Sequence, residues 1–131
     1  MSEACPCGSG QPYERCCGPI IEGQREAESA EALMRSRYTA YTRGDSHYLL
    51  KSWHPDTRPE QLDLTSEPQP RWLGLKIVRT EAGTINDQEG RVEFIARYKS
   101  SGRAERLHEV SRFIKLAGQW LYRDGVLNQH N

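Results

Sequence analysis

Apolar and polar positions recur with two different periods along this chain. Between residues 30 and 41, Ala30, Leu33, Met34, Arg37, Tyr38 and Tyr41 lie three and four apart, which places them on one face of a helix. Ser29 stands ready as N-cap, with Glu28 and Glu31 near the positive end of the helix dipole. Gly44 ends that helix as a C-terminal glycine. Asp45 caps a second, shorter helix to about Trp53 that buries Tyr48, Leu49 and Trp53, and His54-Pro55 breaks it. From residue 73 onward the period shortens to two. Leu73, Leu75 and Ile77 alternate with polar or small neighbours, and Val92, Phe94, Ala96 and Tyr98 do the same after a turn at 86–90.

Ser100-Ser101-Gly102 supplies the next turn, residues 107–116 a third strand, and Ala117-Gly118 leads into a short fourth strand over 119–123 that Asp124-Gly125 stops. Residues 55–71 hold four of the seven prolines and predict a loop with one helical turn near 59–64. Helices followed by an antiparallel meander predict an α+β domain, a curved sheet with helices packed on one face. The first 19 residues, rich in Cys, Gly and Pro, break both periods and predict an irregular knuckle. Residues 1–19 and 20–131 are therefore read as two units, with Ile20 and Ile21 as the anchor between them.

Composition narrows the class. A chain of 131 residues allows one domain with a small appendage. Eighteen basic against eighteen acidic residues give no electrostatic argument for nucleic acid or an anionic membrane as main partner. The segment 91–123 is more basic, eight against three, but it carries no nucleic-acid motif and predicts a solvated sheet face. No apolar run approaches the roughly 20 residues that span a bilayer, and the N-terminus has no signal-peptide pattern, so a cytoplasmic protein is expected.

All four cysteines fall within the first 17 residues, as Cys5, Cys7, Cys16 and Cys17. A disulfide scaffold would spread them along the chain, whereas a cluster suits a metal in a reducing compartment. Four thiolates surround a zinc ion tetrahedrally at about 2.3 Å, and Gly8-Ser9-Gly10 allows the tight return between the two pairs. So short a peptide has no hydrophobic core, and metal binding would supply its folding energy, roughly 10 kcal/mol or more. Four protein ligands leave no open position, which predicts a structural zinc ion. All-thiolate ligation suits iron as well. The competing readings are a Cys16–Cys17 redox pair and unliganded thiols; two close pairs bracketing Gly-Ser-Gly favour the metal.

The run Cys5-Pro6-Cys7-Gly8-Ser9-Gly10-Gln11-Pro12-Tyr13-Glu14-Arg15-Cys16-Cys17-Gly18 resembles the SEC-C motif, named for the C-terminal tail of the preprotein translocase ATPase SecA. Further on, Ala32-Leu33-Met34-Arg35-Ser36-Arg37-Tyr38-Thr39-Ala40-Tyr41, then Trp53-His54-Pro55, His108-Glu109-Val110-Ser111-Arg112-Phe113 and Trp120-Leu121-Tyr122-Arg123-Asp124-Gly125 resemble the YchJ-like family of bacterial SEC-C proteins. The resemblance implies a body like nuclear transport factor 2, a cone-shaped, cystatin-like α+β fold with a pocket, and one metal ion per chain. It also implies protein partners such as export chaperones or ribosomes, by analogy with the SecA tail. Many SEC-C motifs carry lysines between the cysteine pairs, where this chain has Gln11, Pro12 and Glu14, with Arg15 the one base.

Residues that could serve a pocket are Arg37, Tyr41, Trp53, His54, His108, Glu109 and Arg112. On the third strand, alternation separates Leu107, Glu109, Ser111 and Phe113 from His108, Val110, Arg112 and Ile114, and each set mixes apolar with polar side chains. If the first set faces the helices, Glu109 enters a partly apolar interior with Arg37 as candidate partner; if the second does, His108 and Arg112 line it. No nucleophile motif, phosphate loop or nucleotide fingerprint accompanies them. Two functions follow as expectations. The first is a non-enzymatic, zinc-stabilised interaction protein with an exposed knuckle. The alternative is a small-molecule binder or enzyme using the cone, with Glu109 or His108 as acid/base and Arg112 or Arg37 holding an anion.

Overall fold

A computed structural model describes residues 3–65 and 69–127. Its body is a four-stranded antiparallel sheet in chain order, β1 (Arg71–Ala82), β2 (Glu89–Ser100), β3 (Arg103–Leu116) and β4 (Gln119–Leu127). Three helices precede it: α1 (Cys17–Ile21), α2 (Ala30–Arg43) and α3 (Ser46–Lys51). Each cap has a physical cause. Ser29 accepts a hydrogen bond from the Ala32 backbone N–H at 3.0 Å, and Asp45 accepts one from that of Tyr48 at 3.0 Å. Gly44 closes α2 in the left-handed region, at φ 67°.

The sheet curves because its ladders are interrupted. Register shifts fall in β1 at 72–74 and 77–79, and where β4 passes β3 at Arg112 and Phe113. Two-residue turns join β2 to β3 at Ser101-Gly102 and β3 to β4 at Ala117-Gly118, both residues of each at positive φ as the twist of the strands demands. One core lies between the concave face and α2, with Leu33, Met34 and Tyr38 of the helix packed on Val92, Phe94, Ala96, Phe113 and Trp120. Three cysteines of the N-terminal segment, Cys5, Cys7 and Cys17, belong to that same core.

Several details differ from the sequence reading: β3 begins at Arg103, β2 begins inside the expected 86–90 turn, and Leu73 is turned outward by the register shift at 72–74. The knuckle is not wholly irregular, since a 3-10 turn covers Tyr13–Arg15 and α1 begins at Cys17. Helix α3 stops at Lys51, because Ser52, Trp53 and His54 turn away to pair with β4: Tyr122 N–H donates to the Ser52 carbonyl at 2.9 Å and His54 N–H to that of Tyr122 at 2.7 Å. No helical turn forms at 59–64, a stretch with too little apolar content to hold one on the core. Finally, Asp124-Gly125 does not stop β4, which runs on to Leu127. Asp124 is held on the convex face by a two-pronged ion pair with Arg112, at 2.7 and 2.6 Å, and Gly125 continues the ladder opposite Ser111. Among the described residues no helix is long and apolar enough to cross a membrane.

Candidate functional site: metal centre and cone cavity

Helix α2 serves two sites from adjoining stripes. Arg35 and Thr39, four apart, face the N-terminal knuckle, while Met34, Arg37, Tyr38 and Tyr41 face the concave sheet. Arg35 donates to the Cys7 carbonyl at 2.8 Å and is itself steadied by Glu31 at 2.9 Å. Thr39 Oγ1 lies 3.6 Å from Cys5 Sγ. At the end of α2, the Arg43 guanidinium covers the Tyr13 ring at 3.8 Å, and Arg25 donates to the Cys16 carbonyl at 3.1 Å. The knuckle is thus fastened along the length of the helix.

The four sulfurs of Cys5, Cys7, Cys16 and Cys17 lie within 4.8 Å of one another. Thiolates at the corners of a tetrahedron about 2.3 Å from its centre would be about 3.8 Å apart. Cys7 and Cys16 are 3.6 Å apart, and Cys16 and Cys17 are 3.9 Å apart. These distances fit a single four-coordinate metal ion, and the four cysteines are free of disulfides. Ser9 Oγ, 3.1 Å from Cys16 Sγ, adds a polar contact to the cluster.

Electrostatics point the same way. A hydrogen bond from the Cys17 thiol draws the Cys7 thiol well below the ordinary range despite burial, and donating that bond pushes Cys17 up. Burial raises Cys16 as well. Four thiolates this close would repel one another without a cation, so a metal ion is their natural complement. Cys5, Cys7 and Cys17 are at most 4% exposed, while Gly8, Gly10, Gln11, Glu14 and Arg15 form an exposed ribbon around them.

The second stripe of α2 roofs a cavity of about 240 Å³. Its walls are largely aromatic: Tyr38 and Tyr41 from α2, Trp53 from the segment after α3, Trp72 from β1, Phe94 from β2 and Tyr122 from β4. Tyr38 meets Trp72 edge-on with centroids 5.7 Å apart, and Trp53 meets Tyr122 at 5.0 Å. Within this lining stand Arg37, Glu109 and Ser111. Arg37 is 3% exposed. Its Nη1 donates to the Leu49 carbonyl at 2.8 Å and to Ser52 Oγ at 2.7 Å, and its guanidinium lies 4.9 and 4.5 Å from the Trp53 and Tyr122 ring centres. Burial lowers its pKa, with nearby Tyr41, Tyr122, Tyr48 and Glu109 opposing.

Glu109 takes its place through a neighbour's missing side chain. A Cβ at position 125 would fall 2.7 Å from Glu109 Cδ and against Oε2, so the carboxylate rests directly on the Gly125 backbone. Ser111 donates to Oε2 at 2.6 Å. None of the ion pairs among the described residues includes Glu109; Arg37 acts on it across space and not by contact. Burial, then the Glu109 charge, raise the Tyr122 phenol to about 12.

Of the candidate pocket residues, the structure brings Arg37, Tyr41, Trp53 and Glu109 together around the cavity. It sets the other three elsewhere. His108 lies on the convex face, bonded to Glu93 at 2.7 Å, and Arg112 is beside Asp124 on that same face. His54 is buried away from the cavity lining, its Nδ1 accepting from the Asp56 backbone N–H at 3.1 Å. Arg35, Thr39 and Gly125 were not legible as site residues. A glycine inside a strand is the one signal that could have flagged Gly125.

Comparison with known proteins places both parts. Residues 29–125 match the family described as YchJ, middle NTF2-like domain, and residues 1–19 match the SEC-C motif. A UPF0225 protein of Chromobacterium violaceum is 49% identical over 95% of this chain and 93% of its own length. UPF0225 protein SCO1677 of Streptomyces coelicolor is also 49% identical, over 92% and 93%. The solution structure of RPA3114, a SEC-C motif containing protein from Rhodopseudomonas palustris, superposes with a TM-score of 0.82 at 35% identity and covers 98% of this chain and all of that one. A crystal structure of a SEC-C motif containing protein from Psychrobacter arcticus gives a TM-score of 0.76 at 25% identity, over 97% and 84%. With the thiolate cluster at the SEC-C motif and the cavity under α2 in the domain that follows, the chain belongs to the YchJ-like family of SEC-C, NTF2-like proteins.

Proposed function

We propose that this is a cytoplasmic, zinc-stabilised protein whose working site is the cone cavity, where it binds a small molecule. The carrying observation is Glu109: a carboxylate inside an aromatic cavity, seated on Gly125 and braced by Ser111, with no cation in contact among the described residues. Stability alone would favour an apolar residue there, since a charge away from water is costly unless paired. The zinc ion has a structural role in this reading. Four protein thiolates complete its shell, and the knuckle they close is fastened to the helix that roofs the cavity.

Two measurements test this. Elemental analysis of freshly reduced protein should find about one zinc per chain; less than about a tenth of an equivalent sinks the zinc assignment. A fragment screen by amide NMR should give hits that shift resonances of the cavity strands and vanish in Ala96→Met, which fills the cavity from β2. Hits confined to the knuckle would refute the cavity reading.

The exposed ribbon at Gly8, Gly10, Gln11, Glu14 and Arg15 supports a second role for the knuckle, as a contact surface for a protein partner such as an export chaperone or ribosome. Affinity capture with wild type and Gln11→Ala/Glu14→Ala/Arg15→Ala, which spares the thiolates, separates that role from the structural one. Identical recoveries would remove it.

A further inference from the structure

The cavity's chemistry narrows what it takes. Resting on the small-molecule reading above, we infer that its ligand is an uncharged, flat, aromatic molecule that offers one O–H or N–H donor to Glu109.

Three observations carry this. First, Glu109 gives the cavity an acceptor with unused capacity, alongside the Trp53 indole N–H, which has no hydrogen-bond partner among the described residues. A carboxylate offers about four lone-pair positions, and Glu109 has one hydrogen bond, from Ser111. Arg37 commits its Nη1 to the Leu49 carbonyl and Ser52 Oγ, and its guanidinium lies against the Trp53 and Tyr122 rings. It braces α2 against the end of α3. Second, the charged lining groups are one cation and one anion, Arg37 and Glu109. A neutral ligand leaves that balance intact, whereas an ion would bring an uncompensated charge into an apolar enclosure. Third, the surrounding rings of Tyr38, Trp72, Trp53 and Tyr122 present faces and edges suited to a planar guest. The volume of about 240 Å³ admits one small ring system and excludes long chains. Gly125 belongs to the same design: its missing Cβ is what lets the carboxylate stand in the cavity.

Five probes of similar size separate the alternatives: phenol, aniline, toluene, benzoate and benzylammonium, each titrated into the metal-loaded full chain and followed by tryptophan emission and calorimetry. Phenol or aniline should bind about tenfold or more tighter than toluene, the effect of a hydrogen bond to a charged acceptor. Whichever of the two is preferred tells an O–H donor from an N–H donor. In Glu109→Gln, which keeps only a neutral acceptor, that preference should shrink about threefold or more while toluene binding stays within about twofold, and Gly125→Ala should weaken phenol by displacing the carboxylate. Tightest binding by benzoate or benzylammonium, or equal binding of phenol and toluene, overturns the donor assignment while leaving a small-molecule site in place. Binding by none of the five, toluene included, overturns both. The wild-type ranking decides without the variants should either fail to fold.

Discussion

Replacing Arg37 by methionine probes how a buried cation holds this fold together. The side chain is 3% exposed, reaches from α2 to the end of α3, and gives two hydrogen bonds of 2.8 and 2.7 Å. Bonds from a charged donor contribute about 1.5–3 kcal/mol each, and the two ring contacts at 4.9 and 4.5 Å about 0.5–2 kcal/mol each. Against this stands desolvation of the guanidinium, several kcal/mol. Methionine keeps most of the stem packing, but the Leu49 carbonyl is left to share the single Ser52 hydroxyl proton, at 3.2 Å, with the Tyr48 carbonyl at 2.8 Å. The net expectation for Arg37→Met is a loss of about 2–4 kcal/mol. Part of it arises because Glu109 loses the only positive charge among the cavity-lining residues. The double variant Arg37→Met/Glu109→Gln should therefore be more stable than the sum of the singles by about 0.5–2 kcal/mol. Urea denaturation, read by tryptophan emission and circular dichroism with an unchanged slope, measures both quantities. A loss under about 1 kcal/mol, or strict additivity, would refute the picture of Arg37 as brace and as Glu109's distant counter-charge.

Thr39→Val removes the hydroxyl beside Cys5 Sγ with little change of shape, and should lower metal affinity about 10–100-fold in competition with a chromophoric chelator; no change would show that α2 does not tune the site. Ala117 sits at φ 51° in a two-residue turn, where asparagine is at home, so Ala117→Asn should raise the melting temperature by about 3–5 °C, and a decrease would contradict the assigned turn. Tyr122 gives a pH signature. Its phenol is raised to about 12 in the folded protein from 10.0, so the unfolded chain loses that proton first. The contribution is fully present below pH 10, declines between about 10 and 12, and is gone above; Tyr122→Phe should flatten that part of the alkaline unfolding curve, monitored by tyrosinate absorbance.

Much of this molecule is local and therefore readable along the chain. The three- and four-residue spacing of Leu33, Met34, Arg37, Tyr38 and Tyr41 sufficed for α2, and Ser29 and Gly44 for its ends. The close cysteine pairs sufficed for the cluster of four sulfurs that could hold a metal, because ligand spacing is itself a sequence property. What the sequence left open was the facing of β3. A period of two says which residues share a face, but both faces of this strand mix apolar and charged side chains, so hydrophobicity could not choose between Glu109 and the pair His108 and Arg112. The choice needs partners distant in the chain. Asp124 and Glu93 on the convex side receive Arg112 and His108, and Gly125 on the concave side leaves room for Glu109. The same holds for Asp124-Gly125, which as a local signal means a turn and in the sheet means an ion pair on one face and a seat for a carboxylate on the other. The sequence alone therefore determined α2, the order of the strands and the cysteine cluster, but not where α3 and β4 end. The packing of β3 against β4 and α2 decided which ionisable residues meet in the cavity, because only there do side chains far apart in the chain compete for the same space.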